Sequence, residues 1–184
     1  EYRLWKAVWS SIVDQNLWEL AWALERHDEF GAHLVTQTFV GNHDVDRIAS
    51  TVGDAGAVLA AAVLFTVPGM PSVYYGDEQG FRGTRGEGFA ADDPLRPPLP
   101  ESPAELAPDG AWLHSLYRAL ISLRRRHPWL ARSSVEVLDK TNTALTYRCA
   151  AAGHELTVRL DLDPEPRVEI RVGGDEVFRW PPAA

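Results

Sequence analysis

A chain of 184 residues, 45% hydrophobic and 24% charged, has the composition of an ordinary globular protein with room for one sizeable core. Eighteen basic against 26 acidic residues leave a formal charge of -8, which argues against nucleic acid or an anionic membrane as a partner and favours neutral or cationic ligands. The single Cys149 rules out an internal disulfide and a multi-cysteine metal site.

From Leu4 to Leu24 the apolar positions Leu4, Trp5, Val8, Trp9, Ile12 and Val13, then Leu17, Leu20, Ala21 and Leu24, recur at helical spacing and predict one or two helices. Trp5, Trp9, Trp18 and Trp22 fall in this stretch and read as a core stripe rather than a sugar-stacking platform. The β-branched run His33–Val40 predicts a strand, Gly56–Val67 a nearly all-apolar helix, and Ser72–Tyr75 a second strand ended by Gly76. The longest apolar run, Ala55–Val67, is shorter than the roughly 20 residues of a membrane-spanning helix, so no membrane partner is expected. A Gly- and Pro-rich loop from Asp77 to about Pro108 is long enough to be functional or mobile. Trp112 to Leu123 predicts an amphipathic helix stopped by Arg124-Arg125-Arg126-His127-Pro128, with the arginines taken as a solvated helix end. Beyond Ala131 the period becomes two, in short runs around Val135, Tyr147, Val158 and Ile170, which predicts a small antiparallel β unit. The order defines residues 1–132 as α/β and residues 133–184 as all-β. The chain opens on Glu1 and enters a helix at once, which reads as a cut inside a larger protein whose targeting signal lies upstream; a cytoplasmic location is favoured.

Chemistry concentrates in Phe39-Val40-Gly41-Asn42-His43-Asp44-Val45-Asp46-Arg47. Placed just past a parallel strand, Asn42, His43, Asp44 and Arg47 would face a ligand crevice. They would equally serve a polar turn in which Asn42, Asp44 or Asp46 caps the next helix. A metal site is disfavoured because His43 and Asp44 are adjacent and no second His or Cys cluster exists. Ser-His-Asp catalysis is disfavoured because no G-x-S-x-G elbow exists, and no cofactor is expected, with neither a P-loop nor a G-x-G-x-x-G fingerprint.

The stretch Phe39–Asp44, followed by Val67-Pro68-Gly69-Met70-Pro71-Ser72-Val73-Tyr74-Tyr75-Gly76-Asp77-Glu78, resembles the F-V-x-N-H-D and G-x-P-x-x-Y-Y-G-x-E motifs of the α-amylase family of glycoside hydrolases, in order and spacing. Arg96-Pro97-Pro98-Leu99 resembles the family's R-x-P-M segment, and Leu116–Pro128 its last barrel helix. The resemblance implies about the last three β/α units of a TIM (β/α)8 barrel followed by a small antiparallel β-sheet domain. It implies a retaining mechanism on an α-linked glucosaccharide substrate, with oxocarbenium character in the transition state. By motif position Asp44 matches the carboxylate that stabilises that transition state. His43 matches a histidine that hydrogen-bonds the sugar, and Arg47 is expected to bind substrate or orient a carboxylate.

The family's nucleophile and acid/base precede F-V-x-N-H-D in chain order, and too few residues stand before Phe39 to carry them. Smaller departures are Asp77 where Glu is usual, Leu99 for Met, and a short trailing β unit. The expectation is therefore part of a glycoside hydrolase whose isolated chain is inactive. The rival is a non-catalytic barrel acting as a sugar-binding or protein-interaction subunit, which the joint retention of His43, Asp44 and Arg47 disfavours.

Overall fold

Two helices open the chain in the computed structural model, which describes residues 1–182. Helix α1 (Tyr2–Val13) buries Leu4, Ala7, Val8 and Ile12 along one face. The Glu1 carboxylate caps it by accepting from the Arg3 and Leu4 amides. After a turn at Asp14-Gln15-Asn16, helix α2 (Trp18–Gly31) buries Leu20, Ala21, Leu24 and His27. The tryptophan stripe divides: Trp5 and Trp9 are partly buried, whereas Trp18 and Trp22 are 49% and 55% exposed and are not core.

Strands β1 (Gln37–Thr38) and β2 (Met70–Pro71) pair in parallel, Gln37 opposite Met70 and Thr38 opposite Pro71. β1 is much shorter than the run His33–Val40 predicted, and the expected strand Ser72–Tyr75 does not form: β2 lies just before it, at Met70–Pro71, and among the described residues each strand has a single ladder partner. The ladder is carried by the Met70 amide on the Thr36 carbonyl and the Ser72 amide on the Thr38 carbonyl, both at 2.8 Å. Beyond Ser72 the chain leaves the sheet.

Between them runs helix α3 (Ile48–Thr66), buried without interruption from Gly56 to Thr66. It begins well before the expected Gly56 and is kinked at Gly53, whose φ of 71° suits glycine alone. Its first turns carry Ser50, Thr51 and Asp54, which hide the helical period from an apolar pattern. At 19 residues and a mean hydropathy of 1.8, α3 is long and apolar enough to cross a membrane, longer than the sequence run implied. Here it is the central core helix, packed by α1, by α4 (Ala111–Arg126) and by the sheet described next.

Helix α4 presents Leu113, Leu116, Tyr117, Leu120 and Leu123 to the core. Arg124 corrects the picture of a solvated arginine end. It is 8% exposed, and its guanidinium donates to the carbonyls of Phe65, Val67 and Gly69, satisfying the C-terminal end of α3.

A five-stranded antiparallel meander follows: β3 (Ser134–Lys140), β4 (Ala144–Ala151), β5 (His154–Asp161), β6 (Arg167–Val172) and β7 (Asp175–Trp180), in sequential order. Two of its turns, Ala152-Gly153 and Gly173-Gly174, hold both residues at positive φ, the geometry that closes tight hairpins. Val137, Tyr147, Val158, Ile170 and Phe178 form one cross-strand row, so the period-two residues share a face. That face joins the apolar core of the helices. Asp28 on α2 accepts the Val135 amide at 2.7 Å, and Thr66 on α3 meets the Tyr147 hydroxyl at 2.6 Å. Tyr147 is fully buried. Tyr147→Phe is expected to lower unfolding free energy by about 1 kcal/mol, since Thr66 keeps the Ala62 carbonyl as a partner. Urea unfolding checks it, and an unchanged midpoint would remove this bond from the helix–sheet contact.

Candidate active site

The parallel pairing of β1 and β2 delivers the segments that follow them to the same end of the fold. After β1 the chain makes a side-chain-closed turn: Asn42 Oδ1 accepts the Asp44 amide at 2.8 Å, and Asn42 Nδ2 donates to the Tyr2 hydroxyl at 3.1 Å. That spends Asn42 on shape and leaves its two successors outward. His43 and Asp44 have side chains 61% and 51% exposed, with His43 Nε2 3.3 Å from Asp44 Oδ1. Asp46 does not cap α3, as one sequence alternative had it. Its Oδ1 accepts the Arg85 amide at 2.6 Å, and α3 starts at Ile48, with Arg47 at the N-cap position and no side-chain cap.

Arg47 does not join His43 and Asp44 at the surface, which corrects its expected substrate-binding role. It is 0% exposed, and a guanidinium with no exposed face has none to offer a sugar. Its Nη1 donates to the Tyr75 carbonyl at 2.6 Å and to Asp77 Oδ1 at 3.0 Å. The rings of Tyr74, Tyr75 and Phe81 surround it, with centroids 4.2, 5.0 and 5.9 Å away. Of its two expected tasks it performs the second, holding a carboxylate. That carboxylate is Asp77, which the sequence does not mark as a site residue.

Asp77 is 1% exposed, and burial pushes its carboxyl up to about 6, against the opposing pull of Arg47. The pair welds the two strand-end segments together beneath the outward-facing turn. Gly41 makes room for it: a Cβ there would lie 2.3 Å from Asp77 Oδ2. The tyrosines after β2 are committed as well, Tyr75 donating to the Pro97 carbonyl at 2.8 Å and Tyr74 reaching the Leu95 carbonyl at 3.4 Å.

The long loop is therefore held rather than loose. The Arg47 amide reaches the Gly83 carbonyl at 3.0 Å, and the Gly83 amide reaches Ser50 Oγ at 2.8 Å. Arg96 and Asp92 of this loop come to the His43–Asp44 turn, a placement hinted at only by their i, i+4 spacing and the Arg96-Pro97 segment. A cleft of about 310 Å³, lined by Trp5, Trp9, Asp44, Asp46, Thr51 and Arg85, runs beside Asp44. Larger clefts of about 560 and 650 Å³ lie on the sheet, away from these residues. Among the described residues no group of three or more His, Cys, Asp or Glu is arranged to hold a metal ion.

A strand, helix, strand, helix order with both strand ends feeding one polar site, followed by an antiparallel sheet, is consistent with part of a (β/α)8 barrel followed by a β domain. Comparison with known structures gives the same architecture. The α-amylase from H. orenii superposes with a TM-score of 0.74 at 22% identity, over 92% of this chain and 40% of that one. AmyP in complex with maltose superposes with a TM-score of 0.77 at 17% identity, over 91% and 40%. Residues 6–100, more than half of the 184, match the family described as "Alpha amylase, catalytic domain", and the chain belongs to the α-amylase family. Among curated relatives, the 4-alpha-glucanotransferase of Thermotoga maritima is 28% identical over 87% of this chain. The alpha-amylase of Streptomyces lividans is 36% identical over 51% of it. The chain spans 41% of the length of the first of these and 13% of the second.

Proposed function

We propose that the chain is the closing part of a retaining enzyme that cleaves or transfers α-glucosidic bonds of oligo- or polysaccharides. Residues 1–132 belong to the barrel and 133–184 form the β domain. One observation carries the reading: Asp44, half exposed and 3.3 Å from His43, stands at the end of a parallel strand on a turn that Asn42 shapes and the buried Arg47–Asp77 pair supports. In such a reaction positive charge develops on the sugar ring, and a fixed carboxylate opposite it stabilises the transition state more than the ground state. His43 donates to a sugar hydroxyl beside it.

The pair of carboxyl groups that performs the displacement is not supplied by this chain. Glu1 caps α1, Glu19 holds Lys6 and Ser10, and Asp28 accepts the Val135 amide. Asp92, beside the turn, is occupied by Arg85 and Arg96. The 184-residue chain alone is accordingly expected to turn over no α-glucoside. For the full-length protein, proton NMR of the first product from an α-linked maltooligosaccharide is expected to show the α-anomer, the outcome of double displacement. The β-anomer appearing first would rule out the retaining route.

A further inference from the structure

We propose that Arg96 is a positioning residue for the turn that carries His43 and Asp44, an inference that rests on the glycosidase reading above. Its Nε and Nη2 both donate to the His43 carbonyl, at 3.2 and 3.1 Å. Nη2 also donates to Asp92 Oδ2 at 3.0 Å and lies 3.5 Å from Asp44 Oδ1. The other Asp92 oxygen takes Arg85 Nε at 2.9 Å, and the Arg85 amide closes on Asp46 Oδ1 at 2.6 Å. The turn is thus gripped at both ends by one loop, at His43 by Arg96 and at Asp46 by Arg85, with Asp92 tying the two grips together.

The His43 carbonyl lies outside any helix or strand, so a donor from elsewhere sets its direction. Arg96 is 44% exposed and Asp44 51%, and ion pairs that exposed add little to stability. Their effect falls on orientation instead, where misplacing a group by about 1 Å costs on the order of 10²-fold in rate. Two adjacent N–H groups on one carbonyl, with a third contact to a carboxylate, need the planar fork of arginine; a lysine ammonium supplies the charge without the geometry.

In the full-length protein, R96A is expected to lower kcat on an α-linked maltooligosaccharide about 10²-fold. KM is expected to stay within about threefold of wild type, because binding is not what the residue provides. Guanidinium ion added to R96A is expected to return part of the lost kcat while leaving the wild type unchanged. R96K is expected to remain impaired. D92N keeps Arg96 but frees one of its anchors, so a smaller loss of kcat is expected there, and D92N decides the matter should R96A not fold. Wild-type kcat in R96A and D92N, or full recovery in R96K, overturns the positioning role and leaves the glycosidase reading standing. A wild-type protein that turns over no α-glucoside overturns both.

Discussion

Asp44→Asn is expected to abolish turnover of an α-glucoside by the full-length protein, with kcat falling by on the order of 10²–10³-fold or more. The substitution keeps the shape of the side chain, so the Asn42-closed turn and the contact with His43 can persist. What is removed is a full negative charge at the point where the sugar becomes cationic, a loss felt in the transition state and little in the ground state. Stability should barely move, because the partners of Asp44, His43 at 3.3 Å and Arg96 at 3.5 Å, are themselves about half exposed. Steady-state kinetics alongside a thermal melt separates the two effects. Unchanged kcat with an intact fold would falsify the role assigned to Asp44.

How much of this was legible beforehand depends on the range of the interaction that decides each feature. The helices α1, α2 and α4 and the five-strand meander follow local periods of 3.6 and 2, and a single sequence displays those directly. Of the two barrel strands β1 was legible as an apolar run but not in extent, and β2 not in place, since the run Ser72–Tyr75 stays outside the ladder and the pairing falls on Met70–Pro71. Helix α3 was seen only from Gly56, because its polar first turns and the Gly53 kink break the period. At the site, motif order located His43 and Asp44, which the structure leaves exposed at the strand end.

Burial of charged groups was the least legible feature, since it depends on what folds over a residue from elsewhere in the chain. Arg124 carried a local signal: it lies seven residues after Tyr117, two helical turns along the same face, and continues the buried stripe. Its arginine neighbours concealed that. Arg47 carried none, because the rings that enclose it come from Tyr74, Tyr75 and Phe81, far along the sequence. Asp46 was misassigned for the same reason, its partner being an amide in the long loop rather than one in the helix it precedes.

Arg47→Ala is therefore expected to be the most damaging substitution to the fold, lowering unfolding free energy by about 3–5 kcal/mol. It strips the Tyr75 carbonyl and Asp77 of their donor and empties the space among three aromatic rings. Asp77→Asn should behave differently. Asp77 receives one N–H from Arg47 on Oδ1, while Oδ2 is buried without a partner, and burial outweighs the cation to place its carboxyl at about 6. The folded protein thus holds this proton more tightly than the unfolded chain, whose carboxyl titrates near 4. Its contribution is fully present below about pH 4 and is lost as pH rises through about 6, a total of about 3 kcal/mol. Asn has no such proton to lose, so Asp77→Asn is expected to lack that slope, while the buried Arg47 guanidinium loses its counter-charge and stability falls at every pH. In Arg47→Ala the opposing cation is gone, the carboxyl keeps its proton to higher pH, and the slope moves upward. Urea midpoints between pH 4 and pH 7 for the three proteins test this, and identical slopes in wild type and Asp77→Asn would show that Asp77 is not the group that titrates.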